Sequence, residues 1–177
     1  MSRYVVLLRG VNVGKGNRVP MAIFREILEG VGCRDVRTLL NSGNAVCDSA
    51  TRSAATLGDS VRKALAERLA IDVPVVVVPR ATFAIITDDN PLAVACTDPS
   101  RLLVAFPETR DALPPLEALA ALVQRPERLE VGAHAAYLWC PNGILESKTA
   151  LALLGKAGRG VTTRNWATVL KLRAWLD

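Results

Sequence analysis

The stretch Tyr4-Val-Val-Leu-Leu-Arg-Gly-Val-Asn-Val-Gly-Lys-Gly-Asn-Arg-Val-Pro20 decides how this chain begins to fold. Residues Tyr4–Arg9 read as a strand of almost unbroken apolar character, and Pro20–Glu29 reads as a helix with its large apolar residues on one side. The segment between them, here called the Gly10–Pro20 loop, contains three glycines and two cations. Glycine-rich backbone beside cations is suited to receiving an anion.

The segments that follow predict a β-α-β-β-α-β order. Gly and Asn accept the positive φ that a tight hairpin turn requires. The predicted elements are a strand over Val36–Leu40, a turn over Asn41–Asn44, a strand over Asn44–Cys47, a helix over Ala54–Leu69 and a strand over Val73–Val78. This order is typical of the ferredoxin-like split βαβ arrangement.

The second half repeats the order less clearly. Its predicted elements are a short helix over Arg80–Asp89, a strand over Arg101–Phe106, a helix over Pro114–Val123, a hairpin of Arg128–Val131 with His134–Cys140, and helices over Ser147–Leu154 and Thr163–Leu176. The sequence therefore predicts an α+β fold of two ferredoxin-like-related lobes, βαββαβ followed by a degenerate βαββα plus a C-terminal helix. We place an N-terminal lobe at 1–79 and a C-terminal lobe at 80–177, which can also be counted as one compact domain.

The length and composition of the chain limit the classes of protein to which it can belong. A chain of 177 residues, half of them apolar, can bury a core without disulfides. The spacing of Cys33, Cys47, Cys96 and Cys140 matches no zinc or CxxC motif, which favours reduced, mostly buried thiols. The first apolar run is interrupted by Arg9, and no run reaches the roughly 18 residues that span a bilayer. We expect a cytoplasmic protein with no membrane partner.

Charge is distributed unevenly along the chain. The net charge is +5, yet both ends carry bases without acids, and the middle of the chain carries more acids than bases. If the ends meet in space, they make a positive surface suited to phosphate, nucleotide or nucleic acid. The alternative is that these Arg and Lys side chains are scattered over solvated faces.

The Gly10–Pro20 loop matches neither of the strict glycine motifs. A Walker loop needs four residues between its glycines and Ser or Thr after the Lys, whereas Gly10 and Gly14 enclose three and Gly16 follows Lys15. The dinucleotide fingerprint lacks its third glycine. A general anion-binding loop remains, with an ordinary strand-to-helix connection as the alternative.

Three predicted helices begin beside a cation. Bases at a helix start cost about 0.3–1 kcal/mol each, and a bound anion could offset that cost. The alternative is that these side chains bend into water. The three cases are Arg18 before the helix that begins at Pro20 with Val19 as its apparent N-cap, Lys148 after Ser147, and Arg164 after Thr163.

The sequence shows no familiar combination of catalytic residues. His134 stands alone in a strand, no Ser-His-Asp or Cys-His pairing is indicated, and no metal-ligand spacing or cofactor motif occurs. Trp166 fits a buried helix face better than a base-stacking platform. The strand Asn44–Cys47 has none of the aromatic residues on which RNA-recognition modules stack bases. Whether the protein is an enzyme stays open, and we predict no metal and no cofactor.

Several motifs together resemble a known family. They are Leu7-Leu-Arg-Gly-Val-Asn-Val-Gly14, Val19-Pro-Met21, Val36-Arg-Thr38, Ser42-Gly-Asn44 and Thr163-Arg-Asn-Trp-Ala-Thr-Val-Leu-Lys-Leu172. By these motifs the chain resembles the bacterial domain of unknown function 1697 family. The resemblance implies a small soluble α+β protein of two related lobes and supplies no activity. Glu146 departs from the family pattern, which often has a base before Ser147-Lys148.

Our preferred hypothesis is a small phosphorylated or nucleotide-like ligand bound at the Gly10–Pro20 loop, which should lie beside Ser147-Lys148 and Arg164-Asn165. The alternatives are nucleic-acid binding along the same bases, and a structural or protein-interaction module with no small ligand. The protein is expected to be a monomer or a homodimer. The candidate contacts are Arg9, Asn12, Lys15, Arg18, Ser42, Asn44, Lys148, Arg164 and Asn165.

Overall fold

The computed structural model describes all 177 residues and divides into two compact units. The first unit comprises Met1–Phe83 with Leu172–Asp177, and the second comprises Ala84–Lys171. None of the helices is both long and apolar enough to span a bilayer.

The first unit is an antiparallel four-stranded sheet with two helices. Its elements are β1 (Ser2–Leu8), α1 (Met21–Gly30), β2 (Arg34–Leu39), β3 (Asn44–Ser49), α2 (Ala54–Leu69) and β4 (Val75–Pro79). The strand order is β2-β3-β1-β4, so the first strand pairs with both β3 and β4. The predicted βαββαβ order and its ferredoxin-like arrangement are confirmed.

The core of this unit lies between the sheet and its helices. Alternate residues of β1 belong to one cluster with the apolar faces of α1 and α2. The intervening residues Val5 and Leu7 are also fully buried. A strand buried on both faces has no polar face, which explains why Tyr4–Leu8 is an unbroken apolar run. The cluster joins Tyr4, Val6, Leu8, Phe24, Leu28, Leu57, Val61 and Leu65 among others.

The second unit repeats the topology. The division between the units falls within α3 (Arg80–Asp88), and the following elements are β5 (Leu102–Pro107), a 3-10 helix (Pro114–Leu122), β6 (Arg128–Val131), β7 (Ala136–Trp139), α4 (Lys148–Leu154), β8 (Val161–Asn165) and α5 (Trp166–Ala174). The strand order β6-β7-β5-β8 has the same pattern as the first sheet. The predicted α+β fold of two related lobes is confirmed.

The helix predicted over Thr163–Leu176 is wrong in its first part. Residues Val161–Asn165 form β8, which pairs antiparallel with β5 from Leu103↔Asn165 to Pro107↔Val161. The β-branched residues at its start favour a strand. The helix begins at Trp166, and the Asn165 side chain accepts the Thr168 N–H at 2.9 Å as an N-cap. Arg164 is therefore a strand residue and not a cation at a helix start.

The last six residues belong with the first unit, whereas the division at residue 80 assigns them to the second lobe. The Arg3 guanidinium donates twice to the Trp175 carbonyl, at 3.1 and 3.0 Å, and also pairs with Asp35 and Asp48. The Arg37 guanidinium lies 4.2 Å from the Trp175 ring centroid. These contacts hold the C-terminal segment to β1 and β2.

Replacing Gly43 with Ala should destabilise the protein by about 2–4 kcal/mol. Gly43 has φ +79°, and an added Cβ would lie 2.6 Å from the Leu8 Cβ. Gly30→Ala is the matched control, because a Cβ there meets nothing and alanine favours the helix end. Urea denaturation of both variants checks this. Equal stability of Gly43→Ala and the wild type would contradict the packing described.

Replacing Tyr137 with Phe should reduce the loss of stability at high pH. The Tyr137 hydroxyl donates to the Ile86 carbonyl at 2.8 Å, and burial, with the nearby Asp89 charge, raises the pKa of Tyr137 to about 12. The unfolded phenol ionises near pH 10, so this contribution to stability is complete below about pH 10 and is lost as the pH rises toward about 12.

At neutral pH the same variant should cost about 1–2 kcal/mol, because the Ile86 carbonyl loses its donor. Unfolding free energies of both proteins between neutral pH and pH 12 provide the measurement. An identical alkaline slope for Tyr137→Phe and the wild type would show that this phenol does not titrate as described.

Candidate functional site

Asn12 holds the Gly10–Pro20 loop in shape. Its Nδ2 donates to the Val19 carbonyl at 2.8 Å and to the Asn41 carbonyl at 2.6 Å, and its Oδ1 accepts the Val19 N–H at 2.9 Å. Its backbone N–H donates to the Asn17 carbonyl at 2.7 Å. Asn12 has φ +57°, a conformation that Asn tolerates better than most residues. The Asn12 carboxamide is therefore engaged in shaping the loop.

The tip of the loop is a tight turn with open space above it. The Gly16 N–H donates to the Val13 carbonyl at 2.9 Å, and Gly14 has φ +53° at the first central position. A Cβ at Gly14 would meet nothing within 4 Å, so glycine is favoured here for its backbone conformation and not for lack of space. The backbone N–H groups of Val13, Gly14 and Lys15 donate to no acceptor within the protein.

Two cations flank this tip. The Lys15 side chain is exposed, and Arg18 donates from Nη2 to the Gly14 carbonyl at 2.5 Å. That bond directs the Arg18 guanidinium toward the turn and leaves its other N–H groups available. Three peptide N–H groups and two cationic side chains thus lie within the six residues Val13–Arg18.

A second loop adjoins the first. Beside the turn between β2 and β3, the buried Asn44 at the start of β3 donates from Nδ2 to the Leu39 carbonyl and to the Ser42 Oγ, both at 2.9 Å. Gly43 accepts the Leu8 N–H at 2.8 Å, and Asn41 accepts from Asn12. The structure thereby places Asn12, Lys15, Arg18 and Ser42 in two connected loops, with Asn44 at the start of β3 and Arg9 directly before the first loop.

The other candidate contacts lie in the second unit. Lys148 is exposed at the start of α4, where the Ser147 Oγ caps the helix by accepting the Ala150 N–H at 3.0 Å. Arg164 is buried in β8 and donates to the Thr162 Oγ1 at 2.9 Å and to the Thr163 carbonyl at 2.8 Å. Burial lowers the pKa of Arg164 to about 10, so the guanidinium stays charged at neutral pH.

The start of α1 differs from the sequence prediction. Its N-cap is Pro20 and not Val19, no side chain caps it, and its first turn contains no acid. The first N–H groups of a helix have no partners within the helix. The Gly10–Pro20 loop therefore leads directly into an uncapped helix start.

Pockets occur elsewhere in both units. One of about 630 Å³ lies between α1 and α2, where Glu26 pairs with Arg68 at 2.9 Å and Lys63 pairs with Glu67 at 3.8 Å. Another of about 180 Å³ in the second unit is lined by His134 and Tyr137. Neither of these two pockets is lined by a predicted contact, whereas the tip of the Gly10–Pro20 loop is exposed. No group of three His, Cys, Asp or Glu side chains could hold a metal ion.

The sequence did not reveal that three asparagine side chains form hydrogen bonds with the backbone. Asn12, Asn44 and Asn165 were expected to touch a ligand, and each has its side chain bonded to backbone groups. The positive φ in the Asn41–Asn44 turn was predicted and occurs at Gly43, but the close approach of Leu8 to Gly43 was not predicted. The sequence could not show which N–H groups stay unpaired, because that depends on the folded loop.

The match to a family model decides the relationship to known proteins. The model described as protein of unknown function (DUF1697) matches residues 1–137. The chain belongs to the DUF1697 family. A similar structure is that of a conserved bacterial protein from Streptococcus pneumoniae, with a TM-score of 0.82 and 26% identity over 99% of each chain. No curated protein matches this DUF1697 chain.

Replacing Asn12 with Ala should destabilise the first unit by about 1–3 kcal/mol, because three hydrogen bonds are lost. Asn12→Asp keeps the acceptor for the Val19 N–H but sets a carboxylate oxygen against two carbonyl oxygens. It should be at least as destabilising as Ala. Denaturant unfolding gives the free energies, and amide hydrogen exchange at Val19 reports on the loop itself. Unchanged Val19 exchange in Asn12→Ala would contradict this role.

Proposed function

We propose that this protein binds a small phosphorylated or nucleotide-like anion at the tip of the Gly10–Pro20 loop. The observation that carries the proposal is the run of unpaired N–H groups at Val13, Gly14 and Lys15, beside the Lys15 and Arg18 side chains. Peptide N–H groups and cations that occur together in one loop match the acceptor oxygens and charge of a phosphate.

The uncapped start of α1 supports the same proposal. A helix start carries partial positive charge and unpaired N–H groups. Here neither a capping side chain nor an acidic residue in the first turn neutralises it, and Arg18 lies two residues before the N-cap Pro20. An anion would relieve the unfavourable proximity of the cation to the helix start.

Rigidity of the loop favours binding. The Asn12 carboxamide ties the loop to Val19 and to Asn41 of the neighbouring turn before any ligand arrives. Binding then costs less conformational entropy than it would in a mobile loop. In this proposal Asn12, Ser42 and Asn44 support the site, while Lys15 and Arg18 contact the ligand. Participation of Arg9, Lys148, Arg164 and Asn165 stays a prediction.

The proposal is one of binding and not of a reaction. No nucleophile with an adjacent general base lies at the loop tip, whose residues are Val13, Gly14, Lys15 and Gly16. Cytoplasmic location and a monomeric or homodimeric state likewise stay predictions. Nucleic-acid binding remains the alternative, because exposed Lys15 and Arg18 could equally meet a phosphate backbone.

Replacing Lys15 with Ala should weaken the binding of inorganic pyrophosphate or a nucleoside triphosphate about tenfold, a change of about 1.4 kcal/mol. Binding to the native state raises its melting temperature, so a thermal-shift titration of the wild type and the variant supplies the measurement. Lys63→Ala is the matched control. Lys63 is an exposed lysine of the same unit, and its ion pair with Glu67 is long, at 3.8 Å.

The proposal fails if neither ligand shifts the wild-type melting temperature, or if Lys63→Ala weakens binding as much as Lys15→Ala does. An oligonucleotide whose affinity falls steeply with salt, with Lys15 and Lys63 contributing equally, would favour the nucleic-acid alternative.

A further inference from the structure

Two cysteine thiols lie side by side inside the first unit. The Sγ atoms of Cys33 and Cys47 are 3.5 Å apart, and the Cys47 thiol donates to the Cys33 sulfur. Both cysteines are free and buried. A disulfide has an S–S bond of about 2.05 Å, so the two sulfurs need to approach by only about a further 1.5 Å.

The backbone places the two side chains on one face of the sheet. Cys33 directly precedes β2 and Cys47 lies in β3, next to the paired residues Arg34 and Asp48. A register shift follows between Arg34 and Arg37, where Asp35 has φ +47°. Cys33 and Cys47 both belong to the core cluster beneath α1 and α2. A link between them would join the edge strand of the sheet to its neighbour.

The two thiols differ in reactivity. The hydrogen bond from Cys47 lowers the pKa of Cys33, whereas the same contact and burial raise the pKa of Cys47. Cys33 is 4% exposed and follows the exposed Gly32, while Cys47 is fully buried. A thiolate is the nucleophilic form of cysteine, so Cys33 is the residue that an oxidant reaches first.

We propose that Cys33 and Cys47 form an oxidisable dithiol, which a hydroperoxide converts into a disulfide between the residue that precedes β2 and a residue of β3. The Cys33 thiolate attacks a peroxide oxygen, an S–O bond forms, the O–O bond breaks, and an alcohol or water leaves after protonation. The Cys47 sulfur loses its proton and attacks the Cys33 sulfenic sulfur, and hydroxide leaves as water. Two thiols give up two electrons as one peroxide is reduced.

The disulfide would close a segment with consequences for the neighbouring loops. The two cysteines are 14 positions apart, and the segment between them contains the turn at Asn41–Asn44. That turn contains the Asn41 carbonyl, which accepts a hydrogen bond from the Asn12 side chain. Closing such a segment restricts the unfolded chain, so the oxidised protein should resist denaturation better than the reduced one. The proposal is independent of whether the Gly10–Pro20 loop binds an anion.

The test is a thiol map of the native protein after treatment with hydrogen peroxide. Free thiols are alkylated in denaturant, the disulfides are then reduced, and the released thiols are alkylated with an isotopically distinct reagent. We expect the second label on Cys33 and Cys47 only, and a mass loss of two hydrogen atoms before reduction. The midpoint of urea unfolding should shift upward on oxidation and return with a reducing agent.

Cys96→Ser is the matched control, since Cys96 is the only cysteine that is not buried and the variant keeps the pair. It should oxidise as the wild type does, and Cys33→Ala should form no internal disulfide. If native Cys33 and Cys47 stay reduced while Cys96 is consumed, or if oxidation lowers the unfolding midpoint, the proposal is overturned. Should Cys33→Ala fail to fold, the comparison of wild type with Cys96→Ser still decides it.

Discussion

The burial of β1 on both faces is the constraint on which the first unit depends. The strand pairs with β3 on one side and β4 on the other, and Tyr4 to Leu8 are all buried. Its end therefore has a fixed place, beside the turn that carries Gly43, whose carbonyl accepts the Leu8 N–H. The Gly10–Pro20 loop leaves the sheet from that point, and Asn12 ties it to the same turn. The position of the candidate site thus follows from the packing of one strand.

Much of this fold could be predicted from the sequence because its signals are local. The helix over Ala54–Leu69 and the strand over Arg128–Val131 have the predicted bounds, since apolar spacing alone identifies them. The strand β8 was missed because Thr-Thr-Arg-Asn has no apolar alternation and forms through pairing with the distant β5. The place of the last six residues depends on Arg3, at the other end of the chain.

The candidate site was less predictable from the sequence than the fold. The composition of the Gly10–Pro20 loop predicted that it binds an anion. In the structure, Lys15 and Arg18 are exposed in this loop. The role of Asn12 was not predictable, because its carboxamide bonds a carbonyl 29 positions away. Polar residues that look like ligand contacts in a sequence are here used to satisfy backbone groups in turns. What distinguishes the candidate site is the set of peptide N–H groups at Val13, Gly14 and Lys15 that have no acceptor within the protein.

The most direct test of the central claim observes those N–H groups themselves. In an NMR titration with pyrophosphate, our account predicts that the amide resonances of Val13, Gly14 and Lys15 shift together and saturate at one ligand concentration. Amides in the regular hydrogen bonds of α2 should stay in place over the same titration. If the three resonances do not move, or if the shifts are spread over unrelated surfaces without saturation, the Gly10–Pro20 loop is not an anion site.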